Sequence, residues 1–175
     1  MRPDSNIQVF MTNESRSSCL HLGCLAILVF LLSACSSAVN GPGGRIGKVK
    51  YYHLMPNYQA RTIDPPIVFE RQHFMYGAVT KKEIMERFGH YYAVFWKVND
   101  RSAGPVTVRF EYMQEHSGLK TRVQEQIVED IHRNNVSKFQ VTGEEYQKSG
   151  RVIAWRVTVL RGKEELVSQQ SALWN

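Results

Sequence analysis

Histidine is the side chain most often used as a catalytic base or a metal ligand near neutral pH, and this chain has six of them. They are His21, His53, His73, His90, His116 and His132. No two lie three or four residues apart, the spacing that brings two ligands to one face of a helix. We therefore predict surface or capping histidines and no metal site. A site assembled from distant strands stays open.

Other residue types that carry catalysis are also scattered. The chain has no Gly-x-Ser-x-Gly motif, and the pairs Ser117-Gly118 and Ser149-Gly150 lie in turn-like stretches. The paired acids Glu144-Glu145 and Glu164-Glu165 flank expected turns, where charge favours solubility. Residues 41–47 are rich in glycine but lack the Gly-Lys-Ser/Thr ending of a phosphate loop. We therefore predict no catalytic residues and no cofactor, which argues against an enzyme.

Residues 20–34 form an apolar segment without a Lys, Arg, Asp or Glu. Arg16 precedes the segment, and its centre at residues 25–32 is an unbroken run of apolar side chains. A membrane-spanning helix needs about 20 apolar residues, whereas a run of this length is typical of the hydrophobic region of a signal peptide. The segment therefore predicts export.

Leu32-Ser33-Ala34-Cys35 ends this segment and resembles the lipobox of bacterial lipoproteins, in which a Leu and two small residues precede a lipidated Cys. The resemblance covers residues 20–36 only. It implies that Cys35 receives a diacylglyceryl group and, after cleavage, becomes the first residue of the mature protein. Ser36 is compatible, in such lipoproteins, with transport to the outer membrane. The expected location is the cell envelope, lipid-anchored at the outer membrane facing the periplasm; an uncleaved signal anchor is the alternative.

The three cysteines fit this interpretation. Cys19 and Cys24 lie in the segment that cleavage would remove, and Cys35 would carry the lipid. The exported domain would then contain no disulfide and no free thiol, so its stability must come from its own core.

The composition is that of a globular protein. The chain has 175 residues, 22 Lys+Arg, 16 Asp+Glu, a net charge of +6 and 43% hydrophobic residues, which excludes a wholly disordered, collagen-like or polytopic membrane protein. Arg45, Lys48 and Lys50 follow Cys35 with no acidic residue in between. Near an anionic bilayer they would assist the anchor. The membrane is therefore one expected partner.

The domain organisation follows from these segments. Residues 1–34 are expected to be a lipoprotein signal peptide, residues 35–45 the lipidated Cys and a flexible tether, and residues 46–175 one β-sandwich domain. The stretch 36–44 ends in Gly-Pro-Gly-Gly, and nine flexible residues would hold the domain roughly 15–18 Å from the lipid.

Alternation with a period of two dominates the rest of the chain. Residues 90–98 are apolar on both faces, which predicts a central strand, and residues 106–112 alternate cleanly, which predicts a hairpin partner for it across the turn 99–105. One helix is expected, because Thr80 and Glu83 fit a capping box and Gly89 a C-terminal glycine. The remaining expected strands are 46–54, 67–74, 119–129, 136–142, 151–160 and 165–173.

Many short strands without a strand–helix rhythm predict an all-β fold, an antiparallel two-sheet sandwich with one short connecting helix. Trp96 in an early central strand and Tyr146 at a later corner resemble immunoglobulin and fibronectin type III sandwiches in pattern only. The missing cysteine pair favours a fibronectin-like variant, and a small closed barrel is the competing fold. The expected core includes Val94, Trp96, Val108, Phe110, Val123, Ile127, Ile153, Trp155 and Val157.

Aromatic residues are concentrated in the first half of the domain, where basic residues separate them. The candidate ligand-binding residues are Tyr51, Tyr52, Tyr58, Tyr76 and Tyr91. Basic and aromatic side chains together suit single-stranded nucleic acid, but an exported protein does not routinely meet it, so no nucleic-acid partner is expected. Stacking on the sugars of a wall polymer or an aromatic protein interface fits better. In strands, such doublets also commonly place one ring in the core.

Three functions are compatible with these features. The first is a membrane-anchored envelope lipoprotein that presents a non-catalytic sandwich as an interaction or structural domain, with an envelope protein or wall polymer as partner. The second is a glycan-binding lipoprotein, and the third is a small hydrolase with an unrecognised site. An exposed aromatic strip would favour the second function, and a concave pocket with His and acidic residues the third.

Overall fold

The computed structural model describes residues 38–56 and 65–174 of the chain, which belong to one compact unit. Within them, eight strands form two four-stranded antiparallel sheets, so the predicted sandwich is confirmed and the barrel is not observed. The first sheet has the order β1-β2-β3-β6 and the second β5-β4-β7-β8. The strands are β1 (Val39–Asn40), β2 (Gly44–Leu54), β3 (Gly89–Val98), β4 (Val106–Gln114), β5 (Arg122–Val128), β6 (Asn135–Thr142), β7 (Val152–Arg161) and β8 (Glu164–Gln170).

The core lies between the two sheets and is built from alternate residues of the central strands. Trp96 of β3 is 1% exposed, and its indole Nε1 donates a hydrogen bond to Ser137 Oγ of β6 at 3.1 Å. Trp155 is half-buried at the margin of this core. The remaining predicted core residues that are fully buried are Val94, Val108, Phe110 and Val157.

Strand β5 turns towards the solvent the face that was predicted to point into the core. Val123 and Ile127 are 52% and 68% exposed, so their assignment to the core is wrong. Because β5 is the edge strand of the second sheet, its inward-pointing side chains lie beside the core and contact α3 and β6. Arg122 forms an ion pair with Glu145 at 2.7 Å, and Gln124 Nε2 donates to the Gln140 carbonyl at 3.0 Å.

Ile153 is also exposed, contrary to prediction, because β7 has an irregularity at this point. Met113 is paired with Ala154 and Gln114 with Val152, so Ile153 is an extra residue with no partner across the β4–β7 ladder. Such a bulge breaks the alternation on which the prediction depended.

Strands β3 and β4 are not a hairpin. They belong to different sheets, and residues 99–105 carry the chain across the sandwich. The strands from β2 to β8 correspond in chain order to A, B, C, C′, E, F and G of an immunoglobulin-like sandwich. The first sheet then has the order A-B-E, after β1, and the second sheet has the order C′-C-F-G. Tyr146 is not a tyrosine corner, because its hydroxyl contacts His53 Nε2 rather than nearby backbone.

Three α-helices rather than one occur in the described residues: α1 (Pro65–Met75), α2 (Lys81–Arg87) and α3 (Gly143–Ser149). Helix α1 replaces the strand predicted at 67–74, with Pro65 and Pro66 at its start, where their missing N–H groups cost nothing. The capping box of α2 is confirmed: the backbone N–H of Glu83 donates to Thr80 Oγ1 at 3.2 Å, and the N–H of Thr80 donates to Glu83 Oε2 at 2.8 Å. No helix in residues 38–56 or 65–174 is long and apolar enough to cross a membrane.

The predicted flexible tether is wrong from residue 39 onwards. Val39 pairs with Ile46 and Asn40 with Arg45, so this stretch is a short hairpin and the folded domain begins before residue 46. The Gly41 N–H donates to the Gly44 carbonyl at 2.8 Å, and the Gly43 N–H donates to the Leu166 carbonyl at 3.0 Å. A Cβ on Gly41 would overlap the Leu166 carbonyl oxygen, which explains a glycine there. Cys35 and the rest of the predicted signal segment lie outside the described residues.

Candidate functional site

The outer face of the first sheet is set by a bulge at Gly47. Ile46 pairs with Trp96 and faces the core, but the next paired residue is Lys48, opposite Phe95. The skipped residue shifts the alternation by one, so Lys48 and Lys50 point away from the core while Val49 points towards it. One extra residue thus decides which side of the sheet carries the lysines.

This outer face is strongly basic. Strands β1, β2, β3 and β6 contain no Asp or Glu. Their basic residues are all exposed on the outer face: Arg45, Lys48, Lys50, Lys97 and Lys138. None of these forms an ion pair with another residue of the described chain.

The second sheet differs from the first because its basic residues have acidic partners. Its outward basic residues are matched by acids on neighbouring strands: Arg109 pairs with Glu125 at 2.7 Å, and Arg156 pairs with Glu111 at 2.8 Å. The positive charge of the sandwich strands is therefore collected on the first sheet.

Phe95 lies at the centre of this basic face. The ammonium groups of Lys48 and Lys50 lie 5.0 and 5.8 Å from its ring centroid, within the range of a cation–π interaction. The ring holds both lysines over the sheet, so their charges are concentrated there without an acidic partner.

Helix α1 packs on one end of the same face and forms a groove there. The Phe74 ring lies 4.9 Å from the Tyr52 ring and 4.1 Å from the Tyr91 ring. The Tyr91 hydroxyl donates to the Arg87 carbonyl at 2.6 Å, and burial raises the pKa of Tyr91, which keeps this donor protonated. The groove beside these rings has a volume of about 840 Å³, and its polar lining includes Lys50, Glu70, His73, Arg87, Lys138 and Gln140.

The predicted tyrosines do not form a single strip. Tyr52 and Tyr91 lie together on the outer face, and Tyr51 lines the groove from the other side of β2, where its ring stacks on His90. Tyr76 is 85% exposed beyond α1 and does not line the groove. Tyr58 lies outside the described residues.

His53 and His90 form a pair that spacing along the sequence does not predict. The strand register places them opposite each other, with ring centroids 3.9 Å apart. The Val152 N–H donates to His90 Nε2 at 3.2 Å, so a neutral His90 carries its proton on Nδ1. Nδ1 is buried without a hydrogen-bond partner in the described residues.

The surroundings of this pair disfavour charge. Burial first, and then the neighbouring His53 and Arg151, lower the pKa of His90 to about 3. Burial and Arg151 also lower the pKa of His53, whose Nε2 lies 2.8 Å from the Tyr146 hydroxyl. Both rings are used in packing and hydrogen bonding, His53 to Tyr146 of α3 and His90 to Val152 of β7. In residues 38–56 and 65–174, no three His, Cys, Asp or Glu side chains come together in a way that could hold a metal ion.

Some of this site was readable in the sequence and some was not. Residues 51–53 read Tyr-Tyr-His and residues 90–92 read His-Tyr-Tyr, and this mirror order matches the antiparallel register that pairs them. Lys97 and Lys138 were missed, because placing them beside Lys50 requires the pairing of three strands. A search of protein-family models, curated proteins and solved structures found no match for this chain.

Proposed function

We propose that this chain is an exported lipoprotein, anchored through a diacylglyceryl group on Cys35, that presents a non-catalytic β-sandwich as an interaction domain in the cell envelope. The resemblance of Leu32-Ser33-Ala34-Cys35 to a lipobox supports the anchor. The outer membrane, facing the periplasm, is the proposed location.

The observation that carries the interaction role is the unpaired basic face of the first sheet. The strands of this sheet carry five exposed basic residues and no acidic residue. The stability of the sandwich comes from its core and does not require this charge. Charge of one sign collected on one surface raises the association rate with a partner of opposite charge.

The geometry gives less support to glycan binding. The Tyr52 and Tyr91 rings pack against Phe74 and hold α1, so they are engaged within the protein instead of forming an open platform. A hydrolase has no specific support either, since His53 and His90 contact each other and Tyr146 rather than a nucleophile.

The anchor is tested by mass spectrometry of the mature N-terminus, with a matched cysteine as control. In the wild-type protein and in Cys24→Ala, we expect an N-terminal Cys35 carrying lipid. In Cys35→Ala, we expect neither lipid nor the same cleavage. A Cys35→Ala protein with unchanged N-terminus and unchanged membrane fractionation would contradict the anchor.

A further inference from the structure

The way the chain enters β1 limits how far the domain can lie from its anchor. Because Val39 pairs with Ile46 and Asn40 with Arg45, the chain enters β1 from the side on which β2 continues to Lys48 and Lys50. Only three residues, 36–38, lie between Cys35 and Val39, and the four residue steps from Cys35 to Val39 span at most about 14 Å when fully extended. An anchor on Cys35 would hold this edge of the first sheet close to the headgroups.

The charge of the face suits such a surface. At physiological ionic strength, electrostatic attraction extends over about 8 Å, so charges held near the bilayer act at useful range. The outer face presents its basic groups over three adjacent strands that contain no acidic residue, and Glu70 of α1 is the acid that lines the groove beside them. A flat anionic surface can meet all of them at once.

Apolar side chains on the helix at this face fit the same partner. Helix α1 packs on the outer side of the sheet through Phe74, and no residue of the helix is buried. Phe69 is 67% exposed, and Tyr76 and Val79, in the segment after α1, are each 85% exposed. Exposed aromatic and aliphatic residues beside lysines are typical of segments that insert into the interfacial region of a membrane.

We propose that the outer face of the first sheet, with α1, is a membrane-docking surface for anionic lipid headgroups. This inference rests on the proposed anchor for the proximity of the domain to the bilayer. A second copy of the chain is a poor occupant, because two such basic faces repel each other. An acidic polysaccharide shares the charge but would not account for the exposed apolar residues.

The test compares two exposed valines on opposite outer faces. Val136→Cys places a thiol on the first sheet and Val123→Cys places one on the second. Each full chain is purified in its mature form, labelled with an environment-sensitive fluorophore and reconstituted into nanodiscs of phosphatidylglycerol–phosphatidylcholine or of phosphatidylcholine alone. A quencher attached to the lipid headgroup reports contact.

We expect the fluorescence of the label at position 136 to be quenched in anionic nanodiscs and to recover at about 0.5 M salt. In neutral nanodiscs it should be largely unaffected. The label at position 123 should be unaffected in both. Replacing Lys48, Lys50 and Lys138 by Gln should reduce the docked-to-undocked ratio about 10- to 100-fold. The control replaces three other exposed lysines, Lys120, Lys148 and Lys163, by Gln and should change the ratio less than about threefold.

Several results would overturn the docking surface. These are equal quenching of both labels, quenching that ignores lipid charge, shielding that depends on protein concentration and so indicates a second copy, or shielding by soluble acidic polysaccharide but not by bilayers. Mass spectrometry of the same samples tests the anchor separately. If it finds no lipid, the proposed function fails, and sedimentation of that protein with anionic vesicles, with and without the triple substitution, still decides whether the face binds lipid.

Discussion

His90 is the buried residue whose protonation should most affect stability. Its pKa is lowered to about 3 in the folded protein, mainly by burial, whereas a histidine in an unfolded chain titrates near 6.5. As the pH falls below about 6.5, the unfolded state takes up a proton that the folded state does not bind. The contribution of neutral His90 is therefore fully present above that pH and is lost on acidification.

We expect the free energy of unfolding to fall by up to about 1.4 kcal/mol per pH unit between pH 6.5 and 3 through this residue. His90→Phe should flatten that slope and cost about 1–3 kcal/mol above pH 6.5, because the Val152 N–H loses its acceptor; this difference from the wild type should shrink as the pH falls. Urea titrations across this pH range measure both effects. A slope unchanged in His90→Phe but reduced in the exposed-site control His132→Gln would contradict the assignment.

The two tryptophans of the core region should differ in their contributions. Trp96 is fully buried and hydrogen-bonded to Ser137, so Trp96→Ala should lower the free energy of unfolding by about 3–5 kcal/mol. Trp155 is half-buried, so its replacement by Ala should cost less. Urea denaturation with a common slope gives both values, and a larger loss for Trp155→Ala would be inconsistent with this core.

At the scale of elements, the bulge at Gly47 accommodates one residue more than the regular ladder between β2 and β3 needs. Deleting Gly47 would place Lys48 directly after Ile46, so both residues could keep their partners Phe95 and Trp96 in a regular ladder and the lysines would stay on the outer face. We therefore expect the deletion variant to fold with the same strand register. Gly47→Ala should change the free energy of unfolding by less than about 0.5 kcal/mol, because its Cβ would lie 3.7 Å from the nearest atom. Thermal melts test both variants, and a deletion variant that does not fold would refute this register.

Phe74 provides the aromatic contacts between helix α1 and the first sheet. Phe74 packs on Tyr52 and Tyr91, while no residue of α1 is fully buried. Phe74→Ala should therefore speed amide hydrogen exchange in residues 65–75 and change the global free energy of unfolding by less than about 1 kcal/mol. Phe69→Ala, at an exposed site on the same helix, is the matched control. Exchange rates that rise equally in both variants would show that α1 is held by other contacts.

The elements that the sequence predicted well are those with a strong period and a fixed cap. The period of two located β3, β4, β6 and β7, and the Thr80–Glu83 pair located α2. Alternation shows which residues share a face but not which face points into the core. The two faces of β5, at the edge of its sheet, were therefore assigned the wrong way round. Helix α1 buries no residue fully, so it has little helical periodicity to detect. The basic face was only partly foreseen, since Lys97 and Lys138 join it through long-range pairing.

For the whole molecule, the segregation of charge has a cost in stability. Arg45 lies directly opposite Lys97 on neighbouring strands, an arrangement that repels. Arg45→Glu should convert this pair to attraction and raise the free energy of unfolding by about 0.2–1 kcal/mol at low salt, with a smaller gain at high salt. Denaturation at two salt concentrations measures the difference. Loss of stability in Arg45→Glu would mean that Arg45 makes a favourable contact instead.

The glycine turn after β1 also determines how the domain would respond to pulling at its N-terminus. Gly43 is hydrogen-bonded to Leu166 of β8, and Gly41 lies so close to that strand that no side chain fits. Tension entering through Val39 would therefore be shared between both sheets instead of peeling β1 from β2 alone. The N-terminal hairpin would then separate from the domain only when its contacts with β8 break as well.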